Sequence, residues 1–428
     1  MQSGCDQSFP KVFKNSYDLK GFYRFLNHEG VSPKEMLASY RLGLSQWVSS
    51  LAGTERPRHL YLFQDSTFGK YHGRKVELGY LERAHDNGVL IHNGILTDEQ
   101  FVPCGLPVQQ FIQRERSDFG KKALRHQRPF EQKESYRWVE GFEFGRKFER
   151  KTGVGIIQVF DSEADIADLF NHALKHRQSF VVRSHHNRKD LVSNQNLQQC
   201  IEQLPVAGQI QRPILDKHGQ KHLRACEIKF TQLHFEEIIK PLYVIDLQQI
   251  EAIENQQDAH WTLLTNLPVS NLEQAKHLVE VYSRRWATCE DFHKCLKTGC
   301  AIHERQLNTP HALFNAITLL SLIAIALLRT RHLAQTHAEQ SVETILTPTE
   351  FNLAQILDQK YLMPIDRTLC KKGSVLWLIL LLGRMGGHQG LKNYGMPGWQ
   401  SIWAGWNYFQ NLVDGFNMSM NYSFFKSP

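Results

Sequence analysis

One segment of the chain combines a carboxylate with basic and aromatic side chains at spacings that suit phosphate chemistry. It runs from Tyr282 to Gly299 and has the sequence YSRRWATCEDFHKCLKTG, which is typical of a helix. Glu290 and Lys297 lie seven residues apart, about two helical turns, so their side chains share one face. A buried face would exclude these charges, and a fully solvated face would exclude the aromatic residues. The mixture indicates cations and a phenol that hold a nucleic-acid backbone, and a carboxylate that holds a metal.

Two aspartates follow predicted strands and supply further candidate metal ligands. Asp65 follows the apolar run Leu60–Phe63, and Asp161 follows the apolar run Gly155–Phe160. If these strand ends converge, two divalent ions about 3.5–4 Å apart can activate an attacking oxygen and stabilise a leaving one. Taken singly, Asp65 could be a turn residue, Asp161 a helix N-cap and Glu290 a solvated helical residue. Their occurrence together on one fold favours a metal site.

The order of the predicted elements indicates how these residues could be brought together. Consecutive strands are predicted near residues 60–63, 88–91 and 100–102, with turns at Asn93–Gly94 and Asp98–Glu99. A helix, a strand, a helix and a strand follow, over 134–151, 155–160, 162–176 and 179–183. This order predicts an α/β fold whose core is a ribonuclease-H-like mixed sheet. Later β-type runs, such as Ala225–Phe230 and Leu242–Ile245, with a break at Lys217–Gly219, predict a β insertion, and the remainder of the chain reads as mostly helical.

The motifs resemble those of bacterial DDE cut-and-paste transposases, specifically the Tn-five-like, or insertion-sequence four, family. The family signature is a Tyr, an Arg three residues on, a Glu four further and a Lys seven beyond. The matching residues are Tyr282, Arg285, Glu290 and Lys297, with one extra residue between the Arg and the Glu. The DSEADI motif that begins at Asp161 is also similar to the family's. The resemblance extends from about residue 22 to residue 416.

The resemblance implies a role for each matching residue. Asp65, Asp161 and Glu290 would be catalytic and would hold two Mg²⁺ or Mn²⁺ ions. The contacts to backbone phosphates would be made by Tyr282, Arg285 and Lys297. Trp261 would supply the aromatic plate on which a flipped base stacks. The basic loop on DNA would be formed by Arg183, Arg188 and Lys189.

Some of these residues have simpler alternative roles. Trp261 could be a core residue of a strand, and Arg188 and Lys189 could belong to a solvated loop. Glu163 is expected to support the site, and Asp165 to be structural. Three cysteines and two histidines lie between residues 289 and 303, but their spacing does not match the paired ligands of structural zinc, so a zinc site is disfavoured.

The extra residue between Arg285 and Glu290 has a structural consequence. At about 100° per residue, it rotates Arg285 off the face that Glu290 and Lys297 share. We expect a π-type turn or local unwinding between Arg285 and Glu290 that restores the common face. A regular α-helix there, with Arg285 facing away from the carboxylates, would instead indicate a damaged site.

Composition limits the class of protein. The chain has 428 residues, of which 42% are hydrophobic, which predicts two or three domains, and its net charge of +7 permits a polyanion partner. Its eight cysteines lack paired spacing and no signal peptide is recognised, so we expect a cytoplasmic, nucleoid-associated bacterial protein. The apolar run 313–328 is interrupted by polar residues, which favours a buried helix over a membrane span.

The expected organisation follows from the resemblance and from these patterns. Residues 1–50 are expected to be a remnant of an N-terminal helical region, 51–330 a catalytic core with a β insertion at about 190–268, and 331–428 a helical dimerisation domain. A homodimer on double-stranded DNA would cut transposon ends through a hairpin step and join them to target DNA. The family's N-terminal end-binding segment is not matched. The alternative is therefore a truncated, non-catalytic transposase that inhibits full-length partners by forming inactive dimers.

Overall fold

A nine-stranded mixed sheet forms the centre of the computed structural model, which describes residues 16–71, 76–121, 127–215, 221–250, 260–305, 307–390 and 395–424. The strands are β1 (His59–Lys70), β2 (Gly88–Thr97), β3 (Pro103–Ile112), β4 (Gly155–Phe160), β5 (Ser179–Arg183), β6 (Gly208–Leu215), β7 (Lys221–Leu233), β8 (Leu242–Gln249) and β9 (His260–Thr265). Their order in the sheet is β3-β2-β1-β4-β5-β9-β8-β7-β6.

The first five strands form the predicted core. β1 pairs in parallel with β4, and β4 with β5, whereas β2 and β3 extend the sheet antiparallel on the other side of β1. This mixed pairing is consistent with a ribonuclease-H-like core and confirms the predicted α/β class. The turn predicted at Asn93–Gly94 is wrong, because both residues lie inside β2, which is buried along its whole length. The third strand begins at Pro103, just after the predicted run over 100–102.

The inserted strands continue the core sheet. β9 pairs antiparallel with β5, and β8, β7 and β6 follow in antiparallel order. The β runs predicted at Ala225–Phe230 and Leu242–Ile245 lie within β7 and β8. The predicted break at Lys217–Gly219 lies outside the described residues. The β insertion therefore extends the core sheet, and β5 is paired on both sides, with β4 and with β9.

Helices cover both faces of this sheet. They are α1 (Ser16–Asn27), α2 (Pro33–Ser50), α3 (Val139–Thr152), α4 (Ala167–Lys175), α5 (Leu197–Glu202), α6 (Leu272–Lys294), α7 (Pro310–Thr336), α8 (Pro348–Tyr361), α9 (Pro364–Leu369), α10 (Val375–Met385) and α11 (Trp399–Phe424). Alternate strand residues separate the two sides: Phe180 packs in a cluster with α3 and α4, and Val181 in a cluster with α6 and α7.

The C-terminal helices share a core with the sheet. Trp377 and Trp399 belong to the same buried cluster as Phe63 of β1. Arg331 of α7 links three helices, because it pairs with Asp291 of α6 at 3.1 Å and lies 4.8 Å from the ring centroid of Trp399. Much of the apolar surface of residues 331–428 therefore fills the interior of this chain, and their separation as a domain stays a prediction.

Helix α7 contains the apolar run 313–328, which was predicted to form a buried helix. By length and composition alone it could cross a membrane, but 67% of its most apolar window is buried within the protein. Buried Asn315, Thr318 and Ser321 lie along it. Thr318 and Ser321 hydrogen-bond Gln109 of β3, which fixes the helix against the sheet.

Candidate active site

Asp65 and Asp161 are brought to neighbouring positions by parallel strands. Asp65 lies within β1 and Asp161 directly follows β4, two strands that are in register at Phe63 and Val159. The backbone N–H of Ser66 donates to Asp65 Oδ1 at 2.7 Å, and that of Glu163 donates to Asp161 Oδ1 at 2.9 Å. Asp161 thus caps the short 3₁₀ turn at Ser162–Ala164, so the N-cap role considered for it is observed. This role does not remove it from the aspartate pair.

The two aspartates interact electrostatically. Burial, and then the negative charge of Asp65, raise the pKa of Asp161 to about 6, although nearby Arg285 opposes this rise. A carboxylate responds in this way when its charged form is partly desolvated and lies close to a second carboxylate. Such a pair attracts positive charge to the place where Asp65 of β1 meets the end of β4.

Arg285 supplies part of this positive charge from helix α6. Its Nη1 donates to Asp65 Oδ2 at 2.8 Å, and its side chain is only 7% exposed. The guanidinium also lies 5.6 Å from the ring centroid of Tyr282, one turn earlier on the helix. The structure therefore places Tyr282 and Arg285 against the aspartates.

The expected position of the irregular turn is wrong. Helix α6 is regular from Leu272 to Lys294, so the segment between Arg285 and Glu290 is neither a π turn nor unwound. Arg285 nonetheless faces Asp65, so the expectation that a regular helix would turn it away is also wrong. A π turn occurs later, at Cys295–Gly299, where the N–H of Cys300 donates to the carbonyl of Cys295 at 2.8 Å. This irregularity lies after Glu290 and not before it.

A regular helix also decides which side chain follows Arg285 on the same face. Four residues on is Cys289, which is fully buried. Burial, and then the charge of Asp65, raise the pKa of the Cys289 thiol well above its usual value. The family spacing counted forward from Arg285 lands on Cys289, so the spacing from Arg285 is a signal in the sequence that points to Cys289 as well as to Glu290.

Glu290 lies about 100° further around the helix than Cys289. Its side chain is 41% exposed, and its carboxylate pairs with Lys294 Nζ at 3.6 Å. The structure thus brings Asp65, Asp161 and Arg285 together and directs the Glu290 carboxylate to Lys294. Within the described ranges, no three His, Cys, Asp or Glu side chains are grouped so that they could hold a metal ion.

The donor chemistry of the aspartates nevertheless suits a hard divalent cation. Mg²⁺ prefers carboxylate oxygens and is commonly bound through one or two of them, together with substrate phosphates and water. Burial, and then the negative charge of Asp65, raise the pKa of Asp161, and such a cation would relieve both costs of holding this carboxylate ionised. Glu290 could add a third carboxylate only after its side chain leaves Lys294.

The aromatic candidate Trp261 lies beside the signature helix. It is partly buried in β9, and its ring meets that of Tyr282 edge to face, with 5.1 Å between centroids. The guanidinium of Arg212, from β6, lies 4.7 Å from the indole centroid. Arg212 was missed by the sequence analysis, because nothing in its local sequence links β6 to β9. Lys297 lies in the π turn, where burial lowers the pKa of its ammonium group.

The basic loop after β5 is divided between solvent and the protein interior. Arg183 is exposed and donates to the carbonyl of His260 at 3.4 Å, and Lys189 is exposed. Arg188 is only 7% exposed and donates to both the carboxylate and the carbonyl of Asp165. A DNA contact by Arg188 would require this buried ion pair to open. Asp165 is the structural residue that the sequence predicted, since it also accepts the N–H groups of His185 and His186.

A mixed sheet with paired aspartates at neighbouring strand positions is a framework suited to phosphoryl transfer on nucleic acid. Residues 146–327 match the family model described as the transposase DDE domain. The match includes Asp161, Trp261 and the whole signature helix, whereas Asp65 precedes it. It supports a transposase of the DDE type, an enzyme class that acts on DNA and generally uses divalent metal ions.

Proposed function

We propose that this chain is a cut-and-paste DNA transposase of the Tn-five-like group that cleaves transposon ends and joins them to target DNA. The observation that carries the proposal is the closeness of Asp65, within β1, to Asp161, directly after the neighbouring parallel strand β4, in a chain whose residues 146–327 match the transposase DDE domain. Asp65, Asp161 and Glu290 would hold two Mg²⁺ or Mn²⁺ ions. When bound there, such ions would supply activation of an attacking oxygen and stabilisation of the leaving oxygen.

The remaining site residues position the DNA. Arg285 and Lys297 supply cationic hydrogen bonds to backbone phosphates, and the Tyr282 hydroxyl adds a neutral contact. Trp261 offers an aromatic plate on which an extruded base stacks, which offsets the cost of unstacking. Arg212 supports this role because it lies over the indole and brings positive charge to the same place. Arg183 and Lys189, both exposed, extend the basic surface.

A non-catalytic inhibitor of full-length transposases is the second candidate. Two observations favour it. Both Asp65 and Glu290 already have cationic partners, Arg285 and Lys294. In addition, Cys289 takes the helix position that faces the aspartates. Such a protein would retain contacts with DNA and with a partner transposase but would lack a complete carboxylate set.

Strand analysis on a denaturing gel separates the two functions. The substrate is a labelled duplex that carries the terminal sequence of the element encoding this chain, together with a supercoiled target plasmid and Mg²⁺. A transposase produces a nick, then a hairpin and a reopened end, and finally a joined product. An inhibitor produces none of these and lowers the yield when it is mixed with an active relative. Absence of both effects would reject both functions.

A further inference from the structure

A buried arginine stands behind the two aspartates. Arg137 lies in the 3₁₀ turn Glu134–Trp138 that precedes α3, and its side chain is only 7% exposed. Its guanidinium lies 4.7 Å from the ring centroid of Trp138, which fixes its plane. Burial of an arginine is costly unless its N–H groups are satisfied, so its partners reveal what it does.

Arg137 contacts one residue beside each aspartate. Its Nε donates to Ser66 Oγ at 3.2 Å, and its Nη2 donates to Glu163 Oε2 at 2.6 Å. Ser66 and Glu163 are the residues whose backbone N–H groups donate to the carboxylates of Asp65 and Asp161. One guanidinium thus joins the two segments that orient the aspartates.

We infer that Arg137 is a positioning residue that sets the orientation of Asp65 and Asp161 toward a divalent cation, an inference that rests on the proposed function. A planar guanidinium can bind two partners at a fixed separation, which a lysine ammonium cannot reproduce. Side chains that orient metal ligands commonly change metal affinity by about 10–100-fold when they are removed. Arg137 acts through Ser66 and Glu163 and has no assigned contact with substrate.

The contacts of Arg137 with Ser66 and with Glu163 differ in whether another partner remains when Arg137 is removed. This difference predicts unequal effects on the two aspartates. Ser66 Oγ is also 3.0 Å from His92 Nδ1, so it keeps a second partner when Arg137 is removed. The Glu163 side chain is 63% exposed and would lose its 2.6 Å ion pair. Loss of Arg137 should therefore disturb Asp161 more than Asp65.

The first test is a Mn²⁺ titration of the full chain followed by thermal unfolding. In Arg137→Gln, the Mn²⁺ concentration that gives half of the maximal stabilisation should rise by about 10–100-fold. Glu163→Gln should shift it in the same direction, and Arg137→Lys should give an intermediate value. The matched control is Arg384→Gln, which removes another largely buried arginine, paired with Asp366 at 2.7 Å in the C-terminal helices. Its unfolding temperature should fall without a change in the Mn²⁺ midpoint.

The second test is amide hydrogen exchange, which requires neither metal nor activity. The Glu163 amide should exchange faster in Arg137→Gln than in the wild type, and the Ser66 amide should change less. If Arg137→Gln does not fold, Glu163→Ala breaks the same connection at the exposed side, because alanine leaves no acceptor for Arg137. Unchanged exchange of the Glu163 amide in the folded variant would overturn the inference. If the wild type binds Mn²⁺, an Arg137→Gln variant with the same Mn²⁺ midpoint as the wild type would also overturn it.

The two tests also separate this inference from the proposed function. A wild-type chain that neither cuts DNA nor responds to Mn²⁺ would reject the metal-dependent transposase. In that case, faster Glu163 exchange in Arg137→Gln would still support orientation of Asp161 by Arg137. Unchanged exchange would reject that as well.

Discussion

Arg285 Nη1 lies 2.8 Å from Asp65 Oδ2, and this ion pair joins the signature helix α6 to the central strand β1. The arginine side chain is 7% exposed and the aspartate side chain 22% exposed, so water screens the pair only in part. The same arginine lowers the electrostatic cost of holding Asp65 beside Asp161. We therefore propose that Arg285 would exchange its carboxylate partner for a DNA phosphate if a cation bound Asp65.

Replacement of Arg285 tests this exchange. Arg285→Ala leaves Asp65 without its cation, and an unpaired, partly buried polar group costs about 1–3 kcal/mol. We expect the free energy of unfolding, measured in urea, to fall by this amount. Mn²⁺ should then stabilise the variant more than the wild type, because it no longer competes with a guanidinium. Equal stabilisation of both proteins by Mn²⁺ would contradict the exchange.

The neighbouring residues Cys289 and Glu290 can be distinguished by paired substitutions. If Glu290 is a metal ligand, Glu290→Gln should reduce strand cleavage by about 10²–10³-fold, the usual effect of removing one electrostatic catalytic group. If Cys289 instead occupies the ligand position, Cys289→Glu should increase Mn²⁺ affinity and cleavage. Cys289→Gln is its control for size and buried polarity. The proposed function predicts the loss in Glu290→Gln and no gain in Cys289→Glu.

The sequence predicted the strands that carry the aspartates, but not every detail of their surroundings. Local apolar runs identified β1 and β4, and Asp161 directly follows β4 as predicted. Asp65 was predicted to follow its strand but lies inside it, because β1 continues past Phe63 to Lys70. The turn predicted at Asn93–Gly94 failed because tertiary packing decides the conformation there. A Cβ on Gly94 would lie 2.9 Å from Val108 Cβ, so glycine permits a close approach of β2 and β3. Asn93 is buried and accepts a hydrogen bond from Gln109.

The signature helix shows a second limit of sequence analysis. Spacing alone revealed an extra residue before Glu290, but it could not show where the helix absorbs it. The structure keeps the Arg285 end regular and forms the π turn at Cys295–Gly299. Cys289, Cys295 and Cys300 are all buried in the core around this turn, a packing that the spacing in the sequence does not reveal. The contact between Arg212 and Trp261 likewise depends on how distant strands pair.

Two buried histidines predict a specific loss of stability in acid. Burial lowers the pKa of His293 to about 4 and that of His92 well below its usual value. Each folded-state pKa lies below the unfolded value of about 6.5, so the unfolded chain takes up protons first as the pH falls. Stability should decline from about pH 6.5 toward pH 4, by about 3 kcal/mol for His293 alone.

Urea unfolding at a series of pH values tests this prediction. His293→Gln should flatten the decline, because glutamine can still hydrogen-bond Asn93 but does not titrate. His260→Gln is a control of opposite sign, since the hydrogen bond that His260 donates to the Asp246 carboxylate raises the pKa of His260. The contribution of His260 to the free energy of unfolding is present at low pH and is lost as the pH rises through the raised pKa of His260. A decline of unchanged slope in His293→Gln would contradict the assignment.

Self-association through the C-terminal region remains a prediction that point substitutions test better than truncation. Truncation near Arg329 would cut within α7 and expose the shared core. Ile356 and Met363 are 57% and 53% exposed, so they are available for a partner. In sedimentation of the full chain with and without end DNA, Ile356→Glu should weaken dimers. Ile323→Glu, at a position 39% exposed on α7, is the control and should leave them intact. A wild type that is monomeric under both conditions would remove the paired-end mechanism.

Mg²⁺-dependent nicking of end DNA by the wild type and by Asp161→Ala is the most direct test of the central claim. The account predicts a nick at the element end that requires Mg²⁺ and disappears in Asp161→Ala, while circular dichroism shows an unchanged fold. Removal of Mg²⁺ with a chelator should abolish the nick in the wild type as well. Nicking that persists in a folded Asp161→Ala protein, or that continues without a divalent ion, would contradict the assignment of the aspartate pair as the catalytic centre.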